Sequence, residues 1–279
     1  MNEDRAKGLE IRVADLTHIY PSGVQALKGV NLVIQAGESV AIIGQNGSGK
    51  TTLVKHFNGL LKPTTGSVLV GGWDTRERSV ASLAVRVGYV FQNPDDQLFQ
   101  STVLAEVMFG PKNLGSGADR ARALAEGALR QVHLEGVESR HPYDLSPGER
   151  RRVALAAVLA MDTPAIILDE PTTGQDFSGV NLVGEVVEDL RGEGKTVITI
   201  THDIDFCSEH FERVIALAEG EVLLDGETRT VLAQGEILAK TYVQPPQLVR
   251  LAQQLDMART PLSVEEFIRF GFPPDSQAP

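Results

Sequence analysis

The stretch Gly44–Thr51, GQNGSGKT, constrains the fold of this chain more than any other part of the sequence. It fits the pattern G-x-x-x-x-G-K-[ST], and its setting is informative: the apolar run SVAII precedes it and the helical run TTLVKHFNGLL, 51–61, follows. A strand that enters a glycine-rich loop and leaves as a helix points successive backbone N–H groups into one concavity. The helix N-terminus adds partial positive charge at the same spot. Such a loop is built for phosphate. Lys50 can reach the β- and γ-phosphates of a nucleotide, and the Thr51 hydroxyl can ligate Mg2+. The candidate nucleotide-binding residues are therefore Gly44, Gln45, Asn46, Gly47, Ser48, Gly49, Lys50, Thr51 and Thr52.

AIILDE at 165–170 supplies the other half of a nucleotide site. Its apolar residues predict a buried strand whose end presents Asp169 to the metal. Glu170 then stands where a carboxylate polarises water for attack on the γ-phosphate. Around these motifs, β-branched runs at 9–43, 67–72, 85–91, 165–170, 196–202 and 213–227 predict strands, punctuated by turns such as Pro21–Gly23. Between about 93 and 161 the pattern turns helical. In ADRARALAEGALRQVHL, apolar residues at 121, 124, 128, 129 and 132 follow the three-and-four spacing of an amphipathic face. Strands alternating with helices predict an α/β fold on a largely parallel sheet, with early antiparallel strands and a helical insertion added.

Composition narrows the setting. At roughly 150 residues per domain, 279 residues suit one large domain or two. The single Cys207 excludes an intrachain disulfide framework and a zinc ribbon. The longest apolar run, Val153–Met161, is about half of the roughly 18 residues a membrane span needs. The start, MNEDRAKGLEIR, lacks the apolar stretch of a signal peptide, and the expectation is a cytoplasmic chain. A net charge of −11 makes nucleic acid a poor first guess as a partner.

LSPGERRR at 145–152 carries the argument from nucleotide binding to a family. On its own it reads as a helix start, with Ser146 as N-cap, Pro147 at N1 and Glu149 at N3. It also resembles the signature motif of the ATP-binding cassette (ABC) ATPases. The family's other motifs stand in order. Tyr20 resembles the aromatic that stacks on adenine, and Gln92 the Gln-loop residue that reaches Mg2+ and the attacking water. Thr172–Asp176, TTGQD, resembles the D-loop, and His202 the switch histidine that senses the γ-phosphate. The resemblance covers about residues 9–235. It implies a P-loop ABC ATPase fold with a mixed core sheet, an antiparallel β subdomain and a helical subdomain at about 93–161. It implies an ATPase domain at 9–239 and leaves a small helical extension at 240–279. In the family, Ser146 and Gly148 would touch the ATP held by a second subunit, identical or paralogous. The chain departs from the pattern at Pro147, which removes one N–H donor, and at Glu149 and Gln175.

FQNPDDQLF at 91–99, TTGQD and the tail opening at Pro245–Pro246 together resemble the ATPase subunits of energy-coupling-factor (ECF) transporters. That resemblance implies vitamin or cobalt and nickel uptake, cofactors ATP and Mg2+, and a place on the cytoplasmic face of the membrane. The implied partners are a transmembrane coupling subunit and a substrate-binding membrane subunit. Glu170, His202 and Gln92 would be catalytic; Thr51, Gln92 and Asp169 would hold the metal. The alternatives are the ATPase of an amino-acid or metal importer and a non-transport cassette. Asp95 and Asp96 read either as a solvated turn or as receivers of arginines from the membrane subunit. The tail predicts two short helices, 247–258 and 263–272, before PPDSQAP.

Overall fold

The computed structural model describes residues 8–271. Strands β1 (Ile11–Ile19) and β2 (Gln25–Ile34) form an antiparallel pair. β3 (Ser39–Ile43) leaves them for a second sheet, and α1 (Lys50–Phe57) follows. β4 (Thr65–Val70) and β5 (Trp73–Asp74) return to the first sheet, whose order is β2-β1-β4-β5. The one-turn α2 (Val80–Leu83) leads to β6 (Val87–Val90). The helical insertion then contributes α3 (Val103–Asn113), α4 (Ala118–Gln131) and α5 (Pro147–Leu159).

β7 (Ala165–Asp169), α6 (Phe177–Gly192), β8 (Thr196–Ile200) and α7 (Ile204–His210) come next, then the hairpin β9 (Arg213–Ala218) and β10 (Glu221–Glu227). The second sheet runs β10-β9-β3-β8-β7-β6, and only its β10–β9 pair is antiparallel. Four short helices close the described chain: α8 (Thr228–Leu232), α9 (Gly235–Lys240), α10 (Gln247–Gln254) and α11 (Val264–Gly271). Both tail helices are present; PPDSQAP lies outside the described residues.

β3 is buried at every position because it is central, paired in parallel with β8 and β9, and covered on both faces. Alternation then divides its side chains between two cores. Val40 and Ile42 join the core under the antiparallel sheet, with Leu53 and Phe57 of α1. Ala41 and Ile43 face the other core, built with α5, α6 and the insertion. At roughly 1.5–3 kcal/mol per buried aliphatic side chain, these two layers outweigh any single polar contact in fixing the site's frame. Three helices are shorter than the sequence predicts: α1, α10 and α11. α1 ends at Phe57 rather than Leu61, because Gly59 takes φ 75° and the Leu61 N–H returns to Lys55 O at 2.9 Å.

Candidate nucleotide-binding site

The phosphate loop, Gln92, Glu170 and His202 all follow the carboxyl ends of parallel strands: β3, β6, β7 and β8. Those strands are neighbours in the order β3-β8-β7-β6, so their loops converge at one edge of the sheet, where open α/β sheets take ligands. The converging loops and β1–β2 enclose an open cleft of about 460 Å³, whose walls include Tyr20, Lys50, Thr51, Thr52, Gln92 and Glu170. Asn46, Gly47 and Gly49 line it as well.

The loop's conformation requires its glycines. Gly44 has φ 146°, and a Cβ there would lie 2.2 Å from Leu217 O. Gly49, left-handed at φ 107°, is the N-cap of α1 and offers no side-chain acceptor to the first turn, which carries no acidic residue. The helix N–H groups therefore stay available to an anion. Ser48 is buried and its N–H donates to Gln45 O at 3.1 Å. The buried Lys50 ammonium donates to Gly44 O at 2.7 Å and Gln45 O at 3.0 Å. Burial pulls its pKa down, against the opposing pull of Glu170 and Asp169.

Two carboxylates are held in place. Asp169 accepts from the Tyr89 hydroxyl at 2.6 Å and from the Thr51 hydroxyl at 3.4 Å; burial pushes its pKa up. These are hard oxygen donors at the mouth of a phosphate loop, the donor set Mg2+ prefers, and a bound cation would offset the desolvation of Asp169. Glu170 is left-handed at φ 52°, a conformation costing a non-glycine residue on the order of 1–3 kcal/mol. Its Oε2 lies 2.7 Å from His202 Nδ1 and accepts from the Thr173 hydroxyl at 3.4 Å.

Ser146 and Gly148 are not in that cleft. They line a second cavity of about 400 Å³ with Gln175 and Asp176, and the two cavities share no lining residue. The capping box expected from SPGE is formed: the Ser146 hydroxyl accepts the Glu149 N–H, and the Glu149 carboxylate accepts the Ser146 N–H.

The ABC transporter family model matches residues 27–173. An ABC transporter ATP-binding protein of Caldanaerobacter subterraneus is 43% identical over 92% of this chain, which spans only 45% of that relative's length. The energy-coupling factor transporter ATP-binding protein of Methanothermobacter thermautotrophicus is 40% identical over 89% of this chain and 80% of its own. Among solved structures, CbiO1 of Clostridium perfringens, part of an ABC transporter complex CbiONQ, superposes with TM-score 0.74. It is 36% identical over 88% of this chain and 98% of its own. A dimeric ATP-binding cassette bound to ADP and Pi gives TM-score 0.73, with 31% identity over 78% of this chain and 99% of its own. The chain is an ABC ATPase.

This ABC ATPase has the fold its family implies: a mixed core sheet, an antiparallel β subdomain and a helical subdomain. Among the described residues, no helix is long and apolar enough to cross a membrane. Several residues at the cassette's site gave no signal in sequence. Tyr89 sits inside an unremarkable apolar run and reaches Asp169 only because β6 pairs with β7. Thr241, at the end of α9, accepts the Gln45 N–H at 3.1 Å and so ties the C-terminal helices to the phosphate loop. Asp95 finds an arginine within its own chain: Arg150 of α5, at 3.3 Å. The neighbouring Arg151 donates to Gln92 O at 3.1 Å, so the start of α5 grips the Gln-loop twice.

Proposed function

We propose that this ABC ATPase powers an energy-coupling-factor importer for a vitamin or for cobalt or nickel, on the cytoplasmic face of the membrane, as one half of a nucleotide-sandwich dimer. The observation that carries the dimer is the separation of Lys50 and Ser146 into cavities with no shared residue. A chain whose phosphate loop and signature serine face different spaces holds two half-sites, and a second subunit, identical or paralogous, completes each. The dimeric relative with ADP and Pi supports that reading, and the energy-coupling-factor and CbiONQ relatives support the transporter type. The membrane partners are then a coupling subunit and a substrate-binding subunit.

Within one half-site the roles follow from the chemistry. Tyr20 offers a ring face to the base. Loop amides between Gly44 and Thr52, other than those of Gln45 and Ser48, act with the Lys50 ammonium to neutralise the phosphates. Thr51, Asp169 and Gln92 would hold Mg2+, which supplies further charge neutralisation on the phosphates. Glu170, oriented by His202 Nδ1, takes the proton of the attacking water. Ser146 and Gly148 reach the γ-phosphate on the partner's loop. Binding closes the dimer, and loss of γ-phosphate contacts reopens it.

Glu170→Gln tests the assignment because it keeps shape and removes the base. ATP binding should persist while turnover falls by about 10²–10⁴-fold, and the dimer should accumulate closed in gel filtration with ATP. Wild-type turnover in this variant would exclude Glu170 as the base.

A further inference from the structure

Behind the nucleotide cleft, two buried histidines that the roles above leave unused join Tyr20 and Thr52 in a circuit. His56, on α1, is fully buried, and its Nδ1 lies 2.7 Å from Thr52 O. A carbonyl only accepts, so Nδ1 carries the proton and Nε2 is a bare acceptor. His18, on β1, places its Nδ1 3.2 Å from that Nε2 and 3.1 Å from Lys62 O. Both neighbours accept, so His18 donates from Nδ1, and its own Nε2 is buried with no partner among the described residues. Burial draws the His56 pKa down to about 4, which keeps the His56 ring neutral at neutral pH. On its other side the His18 ring meets Tyr20 at 84°, centroids 4.7 Å apart. The Tyr20 hydroxyl closes the circuit on Thr52 Oγ1 at 2.9 Å.

A phenylalanine at position 18 would give the same ring contact with no orphaned nitrogen, and a buried unpaired acceptor is a cost that needs a reason. The reason available here is the Nδ1–H bond to His56, which fixes the rotation of the His18 ring. We propose that His18 and His56 are positioning residues for the nucleotide base: they lock the plane of Tyr20 to α1, so that base platform and phosphate-binding helix start form one rigid unit. The proposal rests on the reading of Tyr20 as the base-stacking residue. Its energetic content is preorganisation, since a ring already ordered loses no rotamer freedom when the base arrives.

The test compares affinity of the full chain for ATP with affinity for inorganic tripolyphosphate, which has no base. His18→Leu keeps apolar volume without a ring edge. It should weaken ATP by about five- to tenfold, the scale of ordering one side chain, and leave tripolyphosphate within about twofold. His18→Phe should recover at least about half of that loss, and His56→Leu should give a smaller loss with the same selectivity for the base-bearing ligand. His18→Val serves the same comparison if His18→Leu does not fold. Equal weakening of both ligands, weakening of neither, or a His18→Phe no better than His18→Leu would overturn the proposal. Tyr20→Ala is the separate control: unchanged ATP affinity there removes the stacking reading itself, a failure read without touching either histidine.

Discussion

His56 is neutral in the folded chain and ordinary in the unfolded one, and that difference ties stability to pH. Its folded pKa, about 4, lies below the unfolded value of 6.5. Between those values the unfolded chain binds a proton that the folded chain refuses, so stability falls as pH drops through this window. The groups facing it, His18 on β1 and Lys62 after α1, would both oppose its charge. Between pH 7.5 and pH 5 this residue alone should remove about 2 kcal/mol. Urea midpoints of the wild type and of His56→Asn, which keeps a donor for Thr52 O, check this: the mutant curve should be flatter by that amount. No sequence pattern announced this pair. His18 and His56 are 38 residues apart and meet because α1 packs under β1.

α5 begins with a device that was legible in the sequence. Ser146, Pro147 and Glu149 spell an N-terminus, and the structure forms both bonds of the capping box. The Ser146 hydroxyl also lies 2.6 Å from the Glu149 carboxylate, which holds that carboxyl below its usual range. Ser146→Ala should lower unfolding stability by about 1 kcal/mol, and Ser146→Asn, another good cap, should retain most of it. Urea denaturation separates that structural loss from the loss of turnover expected of both variants. The grip of α5 on the Gln-loop could not be read the same way. Asp95–Arg150 and Gln92–Arg151 span 55 and 59 residues, and their pairing depends on how the insertion folds back over β6. Asp95–Arg150 is partly exposed, a geometry usually worth 0–1 kcal/mol, so its value lies in direction more than in stability.

The proposed pair of half-sites makes a prediction that no single-chain enzyme would obey. In the proposed roles, a Lys50→Ala chain lacks the phosphate cation, and a Ser146→Arg chain lacks the signature hydroxyl. Mixed under conditions that let subunits exchange, they should form dimers with one intact composite site and recover part of the wild-type ATPase rate. A mixture as inactive as either parent would count against shared sites. At this level the division of labour between sequence and fold is clear. The sequence by itself determined the phosphate loop, the acidic end of AIILDE, the signature helix start and the alternation of strands with helices. Each of these depends on residues a few positions apart, where backbone sterics, capping and periodicity act. Only the tertiary structure decided that β3 lies between β8 and β9, that Tyr89 holds Asp169 from 80 residues away, and that His202 meets Glu170. It alone set Thr241 against Gln45 and left Ser146 outside the cleft of Lys50. Those contacts follow from the order of strands in a sheet, which buried area across the whole core selects and no local pattern encodes.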